Sequence, residues 1–503
     1  MAVISLLESF LRRPGDLVAA SVAGAITYIL SKLLYNIYFH PLSSFPGPIS
    51  HAASRIPYCV RLMRGTLPFD LLDFHTRYGP IVRVAPDELA FSSPEAWREI
   101  MGNRKAGETD IPKFLPFYKP IENQPDNLIS ADHVKHGLLR RQLSHGFSEK
   151  VMREQEPIIG EYIDLFIRRL RENAGDGERP VDIASWYNFT TFDVIGDLAF
   201  GEPFGCLENG VYHPFVATII GSARLGTVLQ SVSFFPLLKK LLMRLIPKSA
   251  LEDMRRLSTE KLVRRIEMGK QRPDLIEGLL KKKDEWNMTL PEIESNASLL
   301  LIGGSETTAT LLSATTFYLL TTPPTLSTLA AEVRSSFSSE SEITLTSVNR
   351  LPYMLACLDE ALRIHPPVPH GLPRIVPPGG KVLLGRFVPE GTIIAVHHWA
   401  TYHNEAHFAE PFGFHPERFL DDEDGDQRFR DDKRDALQPF HVGPRNCIGR
   451  NLAYAEMRLI LARLVYAFDL EIAEGSRDWV GRQRIYLMWE KGPLEVFLRP
   501  VER

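Results

Sequence analysis

Cysteine is scarce in this chain: four among 503 residues, at Cys59, Cys206, Cys357 and Cys447. No two stand in a CxxC pair, which excludes a disulfide framework and a cysteine-rich zinc site and points to a reducing compartment. An excess of charge of one sign is also missing. Lys and Arg total 58 against 62 Asp and Glu, a net charge of −4. Nothing in that balance calls for nucleic acid as a partner. There is no repeat of 20 to 50 residues and no long low-complexity stretch, so solenoids and arrays are excluded. No composition shift divides the bulk of the chain. Its hydrophobic share of 44% fits one large globular domain with a sizeable core.

Acidic residues are absent from Leu17 to Phe69, and an unusual N-terminus lies within that gap. "LVAASVAGAITYILSKLLYNIYF", Leu17 to Phe39, contains one charge, Lys32. As a helix it reaches about 35 Å, enough to cross a bilayer. A cleaved signal peptide is the alternative, but the apolar run continues well past the small residues at Ala23 to Ala25. Arg55, Arg61 and Arg64 follow the span, which places the main domain on the cytosolic side. "HPLSSFPGP" then sets three prolines where a helix would continue, and reads as a stiff hinge. The expected organisation is a tail over residues 1–16, a transmembrane anchor over 17–39, a hinge over 40–48 and a catalytic domain over 49–503.

Helical periodicity dominates the domain, with β-rich stretches expected at Arg374 to His398 and, as a strand pair, at Arg484 to Leu498. The most informative helix is "LPEIESNASLLLIGGSETTATLLSATTFYLL", Leu290 to Leu320. Pro291 and Glu292 suit its start and Pro323-Pro324 its end. Its middle is apolar on nearly every face, so it belongs in a core; Glu306 within the run argues against a second membrane span. Gly303 and Gly304 weaken a helix by about 1 kcal/mol each but let a flat group approach the backbone. A packing kink explains the same glycines.

Cys447 lies in "PFHVGPRNCIG", just before an amphipathic helix with Leu452, Ala455, Leu459 and Ile460 on one side. A helix N-terminus favours a thiolate. Gly443 and Gly449 permit tight turns there, Phe440 can wall the sulfur from water and Arg445 supplies a cation. A single cysteine suits a metal already held in four positions, as haem iron is. A cysteine nucleophile is the competing reading, and no positioned histidine base is evident for it.

"FHVGPRNCIG" matches the F-x-x-G-x-R-x-C-x-G signature of the cytochrome P450 family at every fixed position, a match expected by chance roughly once in ten thousand chains of this length. "EALR", Glu360 to Arg363, resembles the family's E-x-x-R element, and "FHPERF", Phe414 to Phe419, its P-E-R-F segment. "GGSETT" resembles its oxygen-activating segment, and the order of the four elements agrees with the family along essentially the whole chain. "FDVIGDLAFGEPFGCLE", Phe192 to Glu208, is similar to fungal secondary-metabolism hydroxylases of the isotrichodermin C-15 hydroxylase type.

The resemblance implies a mainly α fold with small peripheral sheets and an N-terminal transmembrane helix. It implies haem b (iron protoporphyrin IX), with Cys447 as axial ligand of the iron. Phe440 and Gly449 belong to the same loop. Arg140, Arg374 and Arg445 would hold the haem carboxylates, with His136 in place of the usual tryptophan of W-x-x-x-R. Glu306 and Thr307 would form the acid–alcohol pair that manages protons, and Glu360, Arg363 and Arg418 a buried structural network. The implied activity is a monooxygenase that uses O2 and electrons from an NADPH–cytochrome P450 reductase on an apolar small molecule, a terpenoid or polyketide intermediate. The implied location is the endoplasmic reticulum membrane, single-pass, with the catalytic domain cytosolic. Two rivals share the haem: an isomerase or dehydratase of the same fold, and a non-catalytic haem sensor.

Candidate substrate-lining residues are Phe114 and Phe117 in "KFLPFYKP", Ile302 and Gly303 with Leu301 beside them, Val368 and Leu372 in "PVPHGL", and Leu487 in "YLMW". Lys135, Arg141, Lys150 and Arg153 are candidates for the reductase face, and "FFPLL", Phe234 to Leu238, for membrane contact. Asn188, Asn287 and Asn296 head glycosylation sequons that should stay unmodified in a cytosolic domain.

Overall fold

The computed structural model describes residues 14–104, 110–119, 124–245, 259–269, 274–283, 285–286, 288–421 and 425–502. The chain begins with helix α1, Pro14–Tyr38. An 18-residue stretch within residues 15–38 has a mean hydropathy of 1.8 and no buried residue, so most of this helix presents apolar side chains outward. Its last turns are tied down: Asn36 Nδ2 donates to the Ala53 carbonyl at 2.8 Å and Arg83 Nη1 to the Asn36 carbonyl at 2.9 Å.

Segment 40–48 is turn-rich and docked rather than extended and free. Leu42 and Phe45 are buried in a small core, and the Arg83 N–H donates to the Pro46 carbonyl at 2.7 Å. Gly47 is required here, because a Cβ would come 2.2 Å from the Arg83 carbonyl oxygen.

A four-stranded sheet lies next to this segment, in the order β1-β2-β7-β4. It comprises β1 (Ile81–Ala85), β2 (Glu88–Phe91), β4 (Arg374–Ile375) and β7 (Ile393–Val396). β2 and β7 run parallel with Glu88 opposite Ile393, and β4 pairs antiparallel to β7 with Arg374 opposite Ile394. β5 (Lys381–Leu383) and β6 (Arg386–Val388) form a hairpin between them in sequence. β3 (Val181–Asp182), β8 (Phe468–Ile472) and β11 (Glu495–Pro500) make a third sheet, and β9 (Arg484–Tyr486) with β10 (Met488–Glu490) a second hairpin. The expected pair within 484–498 thus divides: β9 pairs with β10, whereas β11 joins β8 and β3.

Helices fill the rest. Those that place the site are α2 (His133–Gly146), α3 (Ile183–Phe200), α4 (Ala223–Ser233), α5 (Leu290–Thr321), α6 (Pro352–Ile364) and α7 (Arg450–Ala467). α5 has 32 residues and starts on a reciprocal capping box between Thr289 and Glu292, which satisfies donors that the first turn leaves free. It packs lengthwise on α3, and both are buried on most faces. Gly304 sits at their crossing, where a Cβ would approach Ile195 Cδ1 to 2.9 Å. A helix apolar all round is stable in water only when surrounded in this way. A second apolar stretch, Pro214–Ser233, reaches membrane-spanning length but is 44% buried and breaks at Ser222.

Candidate active site

The loop before α7 turns on Gly443, whose φ of +76° is left-handed and whose Cβ would come 2.1 Å from the Met101 carbonyl oxygen. Only glycine fits both conditions. The loop closes with the Cys447 N–H donating to the Phe440 carbonyl at 2.8 Å. Gly449 has an ordinary φ of −83°, so its part is proximity: a Cβ there would stand 4.0 Å from the Cys447 sulfur. Protein encloses the sulfur on most sides, and this burial pushes the thiol pKa up. The Gly449 N–H, then Arg140 and Arg450, pull it back down. Yet Cys447 is exposed while Cys59, Cys206 and Cys357 are all buried; its remaining face is open. Phe440 lies beside the loop with Tyr454, ring centroids 5.2 Å apart.

On α5 the two glycines part company. Gly304 packs on α3, whereas Gly303 is exposed in mid-helix and a Cβ there would meet nothing within 4 Å. Thr307, one turn on, shares that open face, with its hydroxyl donating to the Gly303 carbonyl at 2.7 Å. Threonine bonded in this way loosens the helix locally. Glu306 points elsewhere. It is 4% exposed and its Oε2 accepts from Lys491 Nζ at 2.8 Å, while Lys491 also donates to Thr310 Oγ1 at 2.8 Å. The other carboxylate oxygen has no partner among the described residues.

A group of cations forms the third part. His136 is buried on α2, and its imidazole is held down to about 4, first by burial and then by Arg445, Lys113 and Arg140. It is therefore neutral at pH 7 and able to donate one hydrogen bond. Burial also pulls Lys113 well below the usual ammonium range, with Arg374 and Arg445 adding to it. Asp110 is the carboxylate placed among them: it pairs with Arg445 at 2.5 Å and stands 3.6 Å from Arg374. Arg445 and Arg374 also donate to the carbonyls of Ala131 and Ile111, each at 2.9 Å. Arg140 is bonded to the backbone and side chain of Asn446, beside the cysteine. The Nε of Arg374 is buried without a partner among the described residues. An excess of buried positive charge is costly until an anion neutralises it. The two carboxylates of a haem edge would do so, with the open glycine for the flat ring and the open thiol for the iron. These residues fit that group.

Glu360, Arg363 and Arg418 come together elsewhere, all fully buried. Arg363 meets Glu360 at 2.7 Å and Arg418 meets it at 3.1 Å. Asp432 completes the set by pairing with Arg418.

Among the lining candidates, Phe114, Phe117, Ile302, Val368, Leu372 and Leu487 are each half-buried, as side chains facing an interior space would be. Leu301 differs: it is fully buried in the main core. Trp489 likewise packs in a small aromatic core, its ring 4.0 Å from that of His365. Lys135 is committed to Asp126 and Glu292, whereas Arg141, Lys150 and Arg153 are exposed. Asn188 and Asn296 are buried in helices, so neither offers a glycan acceptor in the folded chain; Asn287 lies outside the described residues. Sequence reasoning missed Lys491, Asp432 and Asp110, and took Lys113 only as the start of a lining segment. Each acts on a partner remote in sequence, and no local spacing marks it.

An open thiol at the mouth of a helix, an open glycine in the middle of another and a group of cations that outnumber their carboxylate together define a site for a thiolate-held prosthetic group. Comparison with known proteins agrees. The family model for Cytochrome P450 matches residues 58–496. The chain is 48% identical over 487 residues to a cytochrome P450 monooxygenase, tpeC, of Talaromyces stipitatus, covering 96% of this chain and 94% of that protein. It is 44% identical over 488 residues to the monooxygenase prhB of Penicillium brasilianum, covering 96% and 98%. It is also 42% identical over 492 residues to a trichothecene C-15 hydroxylase of Fusarium sporotrichioides, with the same two shares. The chain belongs to the cytochrome P450 family. Its cofactor is haem and its activity is that of a monooxygenase.

Proposed function

We propose that this enzyme inserts one oxygen atom of O2 into an apolar terpenoid or polyketide intermediate of fungal secondary metabolism, by hydroxylation or epoxidation. The observation that carries the reading is the open Cys447 thiol, together with a buried helix that is open in its middle at Gly303 and Thr307. Cys447 would hold the haem iron as thiolate, and Arg140, Arg374, Arg445 and His136 would hold the haem carboxylates. Bound haem supplies the oxygen-activating chemistry. The chain's own residues position, shield and move protons. Thr307 presents a hydroxyl on the open face. Glu306, one residue away, is paired with Lys491 behind that face, and this pair would relay protons toward it. The half-buried apolar candidates exclude water from the substrate.

Electrons come from an NADPH-dependent reductase. Arg141, Lys150 and Arg153 support that docking site, because they remain exposed. Arg153 also borders a cleft of about 690 Å³ that Arg450 and Arg458 line on the α7 side. The apolar helix α1 supports anchoring in the endoplasmic reticulum membrane, with the domain cytosolic. Leu237, at 87% exposure, supports a second contact with the membrane through 236–245. The similarity to the trichothecene C-15 hydroxylase of Fusarium sporotrichioides supports the substrate class.

Turnover under labelled dioxygen tests the reaction. One labelled oxygen in the product is expected, and an unlabelled oxygenated product would point to the isomerase or dehydratase reading. NADPH consumption without any product would favour the sensor. Replacing Thr307 with alanine should leave NADPH consumption in place while product per NADPH falls severalfold, on the order of the 10²-fold general acid–base contributions at most. Full coupling in that variant would remove Thr307 from proton delivery.

A further inference from the structure

Three buried polar atoms without a partner among the described residues belong to side chains that line one cavity: Nε2 of His397, Nε2 of His370 and Oε1 of Gln230. The side chains are 3%, 6% and 5% exposed. The cavity measures about 20 Å³, room for a single oxygen-sized group and no more. Phe117, Pro373 and Leu487 also line it. Phe117 and Leu487 are substrate-lining candidates, and Pro373 is joined to Arg374 of the cation group. Leu487 turns the β9–β10 hairpin with a φ of +62°, which aims that residue into this space at a cost that few leucines bear. The cavity therefore abuts the proposed substrate space.

Its hydrogen-bond chemistry is determined by the surroundings. Burial holds His397 well below its ordinary value, so the ring is neutral. Its Nδ1 accepts from the Gly371 N–H at 3.1 Å, which leaves the ring proton on Nε2, a donor. Burial also brings His370 down to about 4, so this ring is neutral too and one of its two nitrogens is an acceptor. With the ring proton on Nδ1, the unpartnered Nε2 is that acceptor. Gln230 contributes a third polar group. Whichever way its amide is turned, one donor on His397 faces one acceptor on His370. Glu88 borders the cavity too, but its carboxylate is taken by Arg55 at 2.5 Å. No uncompensated charge is left to receive an ion, and an ion here would be severely destabilised. A group that is neutral, one oxygen in size and both donor and acceptor is a hydroxyl.

We propose that this cavity is a polar subsite for a hydroxyl group carried by the substrate, bonded by His397, His370 and Gln230. The enzyme then acts on an apolar skeleton that is already an alcohol, and the reaction that supplies its substrate is an oxygenation, a ketone reduction or a water-quenched cyclisation. This rests on the monooxygenase reading and narrows its substrate class. A ketone or methyl ether accepts only, and leaves the His397 and His370 demands half met.

The test is spectral titration of the full-length holoenzyme with three matched pairs: farnesol, cholesterol and 2-naphthol, each against its O-methyl ether. At least one alcohol should bind tenfold or more tightly than its ether, roughly the effect of leaving one buried polar group unsatisfied. His397→Asn keeps an acceptor toward Gly371 but loses the far donor, and should cut that preference below threefold. Gln230→Met should weaken it with less risk to folding, and both variants should retain the carbon monoxide spectrum of thiolate ligation. Equal affinities within every pair, or binding of none of the six, would mean that the cavity holds a buried water only. A preference that survives both substitutions would overturn the assignment as well. If the preference appears but labelled dioxygen never reaches product, the subsite stands and the monooxygenase reading falls.

Discussion

Two clusters of buried arginine lie in this domain, and they differ in their bookkeeping of charge. In one, Arg363 and Arg418 meet Glu360 and Asp432, two cations to two carboxylates. Arg363 spends its remaining donors on the carbonyls of Tyr402, Pro411 and Gly413, and Arg418 donates to Ala409. In the other, Arg140, Arg374, Arg445 and Lys113 lie around a neutral His136, and Asp110 is the acid, paired with Arg445 and Arg374. The first cluster is complete when the chain has folded. The second needs an anion that the described residues do not supply. Burial alone does not separate a structural arginine from a ligand-binding one; charge balance does.

The largest expected effect strikes the balanced cluster. Arg363→Ala leaves Glu360 buried and only partly compensated, and should cost about 3 to 5 kcal/mol. Denaturant unfolding of haem-loaded and haem-free protein should show the loss equally in both, since no ligand touches this network. A loss confined to the loaded form would break the comparison.

Acid comes next, through histidines rather than carboxylates. Burial holds His75, His370 and His398 at about 4 and His365 and His403 at about 3, all below an ordinary 6.5. Below that ordinary value the unfolded chain binds protons that the folded chain refuses. Stability is therefore fully present above about pH 6.5 and is lost as pH falls toward 4. Between pH 7 and 5.5 each such histidine should cost about 1 kcal/mol. Unfolding free energies at the two values check the sum; a flat profile would show that these rings find partners when protonated.

Lys113→Met sharpens the contrast, because its two effects have opposite signs. Removing one cation from an unbalanced group should stabilise the haem-free protein by about 1 kcal/mol. The same change should speed haem loss to an acceptor globin by roughly threefold to tenfold, as one charge-assisted bond is lost. Slower or unchanged haem loss would remove Lys113 from the anion site.

What could be read along the chain follows the same division. Cys447, Gly443 and Arg445 lie within five residues, and Glu360 and Arg363 within one helical turn, so local spacing carries their geometry. The long apolar run made α5 legible, and its glycines marked the point of interest, although only Gly303 faces the open side. The partners that complete each cluster left no such trace. Lys491 reaches Glu306 across 185 positions, and Asp110 reaches Arg445 across 335. An ordinary lysine or aspartate acquires its meaning from tertiary packing alone. The hairpin β9–β10 was expected as strands, but nothing in its sequence indicates that the residue after it neutralises a carboxylate in the central helix.

The smallest effect concerns His136, where the chain departs from the tryptophan usual in the family. At 6% exposure this is no surface histidine, and burial, aided by the cations around it, keeps it neutral. A neutral imidazole and an indole share one relevant property, a single ring N–H that can donate to an anion. His136→Trp should therefore retain haem as the parent does, provided that the larger ring is accommodated without overpacking. His136→Phe keeps the flat ring and loses the donor, and should release haem about threefold faster with little change in the stability of the haem-free protein. The comparison of Trp with Phe separates the hydrogen bond from the packing. If both variants behave alike, His136 is filler between the arginines, and the anion is held by the cations alone.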